Sequence, residues 1–100
     1  MIHVVAIITT LPGKRSDVLD AFKKLVPEVH AEQGCIEYVP VTDADNASAM
    51  QTPLGPDTYM VIEKWASMDA LNAHAAASHM TEYGKKVGHL IAGRTIHILN

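Results

Sequence analysis

The opening stretch Ile2–Thr10, IHVVAIITT, constrains this chain more than any other. It is dense in β-branched residues, which favour extended backbone. Extended, it places Ile2, Val4, Ala6 and Ile8 on one side and Val5 and Ile7 on the other. A strand apolar on both sides has to be covered on both sides. In a chain of 100 residues there is material for one core, so one sheet face is expected to meet helices and the other a second subunit. A hydrophobic content of 48% against 19% charged residues agrees, being rich for so small a domain.

Beyond the strand, Leu11, Pro12 and Gly13 signal a turn. Val18, Leu19, Phe22, Leu25, Val26 and Val29 then follow at the spacing of one helical stripe. Pro27 lies inside that stripe and predicts a kink or a fresh helical turn, with Gly34 as the C-cap. Residues 35–41 (CIEYVPV) read as a second strand, and Pro40 marks an edge or bulge. Residues 43–56 form a long polar loop of the kind that covers a site or moves. Residues 58–65 (TYMVIEKW) alternate as a third strand, with Tyr59, Val61, Glu63 and Trp65 sharing a face. Ser67 is a predicted N-cap for a helix to about Ala76, and Ser78 a predicted cap for a second piece running to Gly88. Residues 94–99 (RTIHIL) close the chain as a fourth strand. The order βαββαβ predicts an α+β, ferredoxin-like, four-stranded antiparallel sheet with helices on one face. Packing sheet against sheet then makes a dimeric α+β barrel.

Several classes of function are excluded. Eight Lys and Arg against eleven Asp and Glu give a net charge of -3, so phosphate backbones are not attracted and no nucleic-acid partner is expected. No run approaches the ~20 apolar residues of a membrane helix, and the apolar start lacks the basic leader and cleavage site of a signal peptide. One cysteine, Cys35, rules out an internal disulfide and a cysteine-built zinc site. It reads as a small buried hydrophobe in a cytoplasmic protein. Gly84 and Gly88 carry no phosphate-loop pattern, so no nucleotide cofactor follows.

Four groups of residues carry a family resemblance. They are Pro12-Gly13-Lys14; Glu32-Gln33-Gly34-Cys35-Ile36-Glu37-Tyr38; Tyr59 through Trp65; and Ser67, Ala70-Leu71, His74, Ser78 and His79. Together they resemble the antibiotic biosynthesis monooxygenase (ABM) superfamily over nearly the whole chain, 1–100 as a single domain, and most nearly its quinol-monooxygenase-like branch. The resemblance implies a homodimeric ferredoxin-like barrel with a pocket between sheet and helices. It also implies one of several activities: cofactor-independent oxygenation of quinols or aromatic polyketides, haem degradation, or sugar isomerisation. Haem-degrading members carry an asparagine on the first strand, and here the first asparagine is Asn46.

Among the residues that could carry chemistry, His74 and His79 come first, because imidazole takes and returns protons near neutrality. On an unbroken helix they would point about 140° apart. A break near Ser78 would let both converge on one cleft. Tyr59, Glu63 and Trp65 could make a flat aromatic wall with a carboxylate handle, and Tyr38 could donate a phenol hydrogen bond. Each of these is equally at home in a core. His3, His30, His89 and His97 show no spacing that selects a metal, so none is assigned, and no cofactor is expected. The enzyme reading is a cofactor-independent monooxygenase acting on a small aromatic or quinol-like substrate with dioxygen. In it His74 is the base, His79 and Tyr38 polarise, and Trp65 with Tyr59 form the wall. The alternatives are a non-catalytic dimeric binding protein and an isomerase of the same fold.

Overall fold

A computed structural model describes all 100 residues. The first strand, β1, is Ile2–Thr10, and the helix α1 is Arg15–His30. Strands β2 (Cys35–Val41) and β3 (Thr58–Trp65) follow, then helices α2 (Met68–Ala76) and α3 (Ser78–Val87). A 3-10 turn at Gly88–Leu90 leads into β4, Ile91–Leu99. The sheet is antiparallel throughout, in the order β2-β3-β1-β4. The α+β, ferredoxin-like architecture expected from the sequence is what the chain forms.

Alternation decides which face meets the helices. Val4, Ala6, Ile8 and Thr10 of β1 are buried, as are Tyr59, Val61, Glu63 and Trp65 of β3, and the residues between them are only half-buried. Against this face α1 lays Val18, Phe22, Leu25 and Val29, all buried, at the i, i+4, i+7, i+11 spacing of one helical side. Phe22 lies at the aromatic centre, stacked on Tyr38 with ring centroids 5.4 Å apart and edge-on to Tyr59 at 5.8 Å.

Four local expectations are corrected. Pro27 does not restart α1: the helix runs unbroken to His30 and closes at Ala31, whose N–H reaches the Pro27 carbonyl. Pro27 is on the exposed side, where only the hydrogen bond of its missing N–H is forfeited. Gly34 therefore lies beyond the cap, at φ +85° in the turn into β2. The break between α2 and α3 falls at Ala77, extended at φ -66° and ψ 142°, so Ser78 is the first residue of α3 and not its cap. Strand β4 starts at Ile91, three residues before the predicted 94, because β1 continues to pair with it through a register shift at Thr9/Thr10. Ser67, by contrast, caps α2 as expected, its hydroxyl accepting from the Ala70 N–H at 3.1 Å.

The long loop before β3 is pinned by one carboxylate. Asp43 accepts from the backbone N–H of Leu54 (2.7 Å) and Gly55 (3.0 Å), and these bonds hold its carboxyl below the usual range.

Candidate active site

Sheet and helices do not close completely over β4. The side chains of α1 and α2 cover β2, β3 and β1, leaving a cavity of about 460 Å³ between the sheet and α2 and α3. Phe22, Tyr38, Tyr59 and Tyr83 give it an aromatic lining, and Ile96 and Ile98 of β4 form its open edge, each about half exposed. Its size falls within the usual range for a small-molecule site, and its lining is mainly apolar with a few polar groups. Glu63 and His74 are among those polar groups.

His74 is 6% exposed, on the last turn of α2. Its Nδ1 lies 2.8 Å from Oε2 of Glu32, a residue of the turn that follows α1. The same oxygen meets Nε2 of His79 at 2.7 Å. The extended backbone at Ala77 makes this possible, since it turns α3 away from the line of α2 and brings His79 back toward His74. The two imidazoles thus converge on one carboxylate but face different spaces. His74 borders the aromatic cavity, and His79 borders an outer cleft between α1 and α3. The remaining nitrogen of His74, Nε2, has no protein partner, and no buried side-chain nitrogen or oxygen lacks one, so Nε2 is open to the cavity.

Around His74 the packing is aromatic. The Trp65 ring lies 4.6 Å from the imidazole, centre to centre, and that of Tyr38 lies 5.3 Å away, edge-on. Trp65 is fully buried and donates its indole N–H to Glu63 at 3.0 Å. Burial pushes the Glu63 carboxyl above its ordinary range, opposed by that indole N–H and by nearby His74. Burial also drives the Tyr38 and Tyr59 phenols far upward, so both keep their protons at any physiological pH. The Tyr59 hydroxyl reaches that of Tyr83 at 3.4 Å.

Of the residues singled out in the sequence, Tyr38, Tyr59, Glu63 and His74 line the cavity together. Trp65 stands behind that surface, against His74 and Glu63, and His79 is reached only through Glu32. The residue sequence reasoning passed over is Glu32 itself. It was visible inside the E-x-G-C stretch, but nothing in its spacing links it to histidines 42 and 47 residues away. Cys35 is half-buried, and burial together with the Glu32 charge raises its thiol.

The family model for "Antibiotic biosynthesis monooxygenase" matches residues 1–86. The chain is 39% identical to the "Probable quinol monooxygenase YgiN" of Escherichia coli over 101 aligned positions, covering 99% of this chain and 96% of that protein. Among solved structures it superposes on PA3566 from Pseudomonas aeruginosa with a TM-score of 0.79 at 23% identity, covering 98% of this chain and 90% of that one. Rv0793 from Mycobacterium tuberculosis gives a TM-score of 0.79, also at 23% identity, over 99% of this chain and 92% of that one. These two likenesses bear on the fold alone.

Proposed function

The chain belongs to the antibiotic biosynthesis monooxygenase family, and from that membership and the tethered His74 ring we propose that it is a cofactor-independent monooxygenase of hydroquinones and related electron-rich phenols. One observation carries the reading: His74 has Nδ1 engaged by a carboxylate while its other ring nitrogen opens into an aromatic cavity. A proton on Nδ1 leaves the Nε2 lone pair to act as general base on a phenol.

Once deprotonated, the electron-rich ring reduces dioxygen itself. Hydroquinone plus dioxygen gives hydroxyquinone plus water, one oxygen atom entering the ring and the other leaving reduced. The protein binds and orients the ring against a mainly apolar lining and moves the phenolic proton. Phe22, Tyr38 and Tyr59 supply flat apolar contact. Glu63, raised by burial toward its neutral acid, and the protonated Tyr38 phenol offer hydrogen bonds to quinol oxygens. Trp65 holds Glu63 and backs the His74 ring. His79 acts through Glu32 as a positioning residue.

The working unit of this reading is a homodimer joined through the open sheet face. Val5, Ile7, Met60 and Ile62 are only half-buried there, and Val39 and Val41 are exposed at 39% and 36%. A second copy would cover them. No helix is long and apolar enough to cross a membrane. The lone cysteine suits a reducing, cytoplasmic setting.

Oxygen uptake by chelator-treated protein with a panel of hydroquinones is the test, with the product identified by mass spectrometry. One-atom insertion is expected. Plain oxidation to a quinone, or no uptake with any quinol, would sink the reading in favour of binding alone or isomerisation.

A further inference from the structure

We propose that Glu32, His74 and His79 form a binding site for one divalent transition-metal ion of the zinc class, entered from the outer cleft. Their three donor atoms, Oε2, Nδ1 and Nε2, all lie within 4.8 Å of one another. The two nitrogens are 2.8 and 2.7 Å from the oxygen. Zinc takes imidazole nitrogen and carboxylate oxygen at about 2.0–2.2 Å, which spaces tetrahedral donors by roughly 3.3 Å, so the two oxygen–nitrogen pairs need to open by about half an ångström while the two nitrogens, which lie within 4.8 Å of each other, close toward the same spacing.

Three features make that adjustment easy. The donors come from three separate pieces of chain: the turn after α1, the end of α2 and the first turn of α3. The break at Ala77 separates the two histidine-bearing helices. His79 also keeps about a quarter of its side chain exposed in a cleft of about 670 Å³, which is the path of entry. Glu32 has no Lys or Arg partner; both its close contacts are imidazoles, so a cation is the charge the cluster lacks. Two imidazoles with one carboxylate select a borderline metal such as Zn²⁺, Co²⁺ or Ni²⁺ over Mg²⁺ and Ca²⁺, which take oxygen ligands. Three protein ligands leave a further position for water.

Metal binding moves both imidazole protons to the opposite ring nitrogens. His74 would then carry its proton on Nε2, toward the cavity, and would no longer offer a lone pair there. The metal-bound and base-competent states of the cluster exclude each other.

Equilibrium dialysis of the chelator-treated full chain against Zn²⁺ tests the site on the resting protein. No substrate is involved, so its failure and that of the oxygenase reading are separate results. One ion per chain is expected, not displaced by excess Mg²⁺. His79→Ala should weaken binding by roughly 100-fold, Glu32→Gln by at least about 10-fold, and His89→Ala, an exposed histidine outside the cluster, not at all. Circular dichroism establishes that each variant is folded. The Co²⁺ form should show the visible spectrum of a four- or five-coordinate nitrogen and oxygen site, lost in His79→Ala. Absence of stoichiometric binding at about 100 µM Zn²⁺ would overturn the proposal, as would binding that His79→Ala and Glu32→Gln leave unchanged.

Discussion

Glu32 Oε2 stands 2.8 Å from His74 Nδ1, tying the turn after α1 to the end of α2 across 42 residues of sequence. Both side chains are largely withdrawn from water, at 13% and 7% exposure, where a hydrogen bond to an ionised acceptor is stronger than a neutral one. The bond fixes the ring's orientation, and in the proposed reaction Nδ1 is the nitrogen that carries the proton. It has the form of an orienting carboxylate behind a general base.

Removing the imidazole would remove the proposed base. His74→Ala should lower hydroquinone turnover by roughly 10²-fold or more, the usual contribution of a positioned base. Glu32→Gln keeps an amide oxygen that can still accept from Nδ1 but loses the charge, so about a tenfold fall in kcat is expected with KM little changed. Steady-state oxygen uptake reads both. Unchanged turnover in His74→Ala would remove the proposed base.

Gly34 shapes the same turn. At φ +85° an added Cβ is strained, and it would meet the Ala70 Cβ of α2 at 2.6 Å. Gly13, at φ +76°, has nothing within 4 Å, so it isolates the backbone penalty alone. Gly13→Ala should cost about 1–2 kcal/mol. Gly34→Ala should cost at least about 1 kcal/mol more, because α2 must shift and carry His74 with it. Denaturant titration compares them, and equal midpoints would mean that α2 yields freely.

How much of this was legible followed the range of the interaction. The two-faced apolar pattern of β1, the alternation of β3 and the stripe Val18, Phe22, Leu25, Val29 are local periodicities, and they set the order and layers of the fold. Pro27 begins no fresh turn because a proline on an exposed helical side loses one hydrogen bond while buried Leu25 and Val29 keep the helix packed on either side of it. The early start of β4 came from pairing with β1, which no local signal in residues 91–93 announces. Within the site, a helix break that could bring the two histidines together was readable from the Ser78 region. Their meeting point on Glu32 was not, because that contact exists only once α1, α2 and α3 have docked.

Glu63 should make stability depend on pH. Its carboxyl is raised by burial, so the fold holds that proton more tightly than the open chain does. The stability it contributes is therefore fully present at low pH and declines as pH rises from the ordinary carboxylate range through the raised value. Glu63→Gln removes the ionisation but keeps an amide oxygen for the Trp65 indole. Its melting temperature should exceed wild type by a few degrees at pH 7, and the gap should close below about pH 4. A gap independent of pH would show that charge burial is not the cause.

Phe22 joins the core to the cavity. It is 3% exposed, borders the cavity, and touches three tyrosine rings: Tyr38, Tyr59 and Tyr83, the last with centroids 5.9 Å away. Phe22→Ala removes the ring that the other three pack around, and truncating a buried Phe costs about 3–5 kcal/mol. At about 4–8 °C per kcal/mol for a domain of this size, the melting temperature should fall by more than about 10 °C. Because the lost volume adjoins a space already open to ligand, part of the loss should be recovered by an apolar aromatic added in excess, through its preferential binding to the folded state. Thermal melts with and without toluene measure both effects. A small shift without ligand would mean that the α1 stripe is not the core, and a full shift that toluene cannot reduce would mean that the new space is closed off from the cavity.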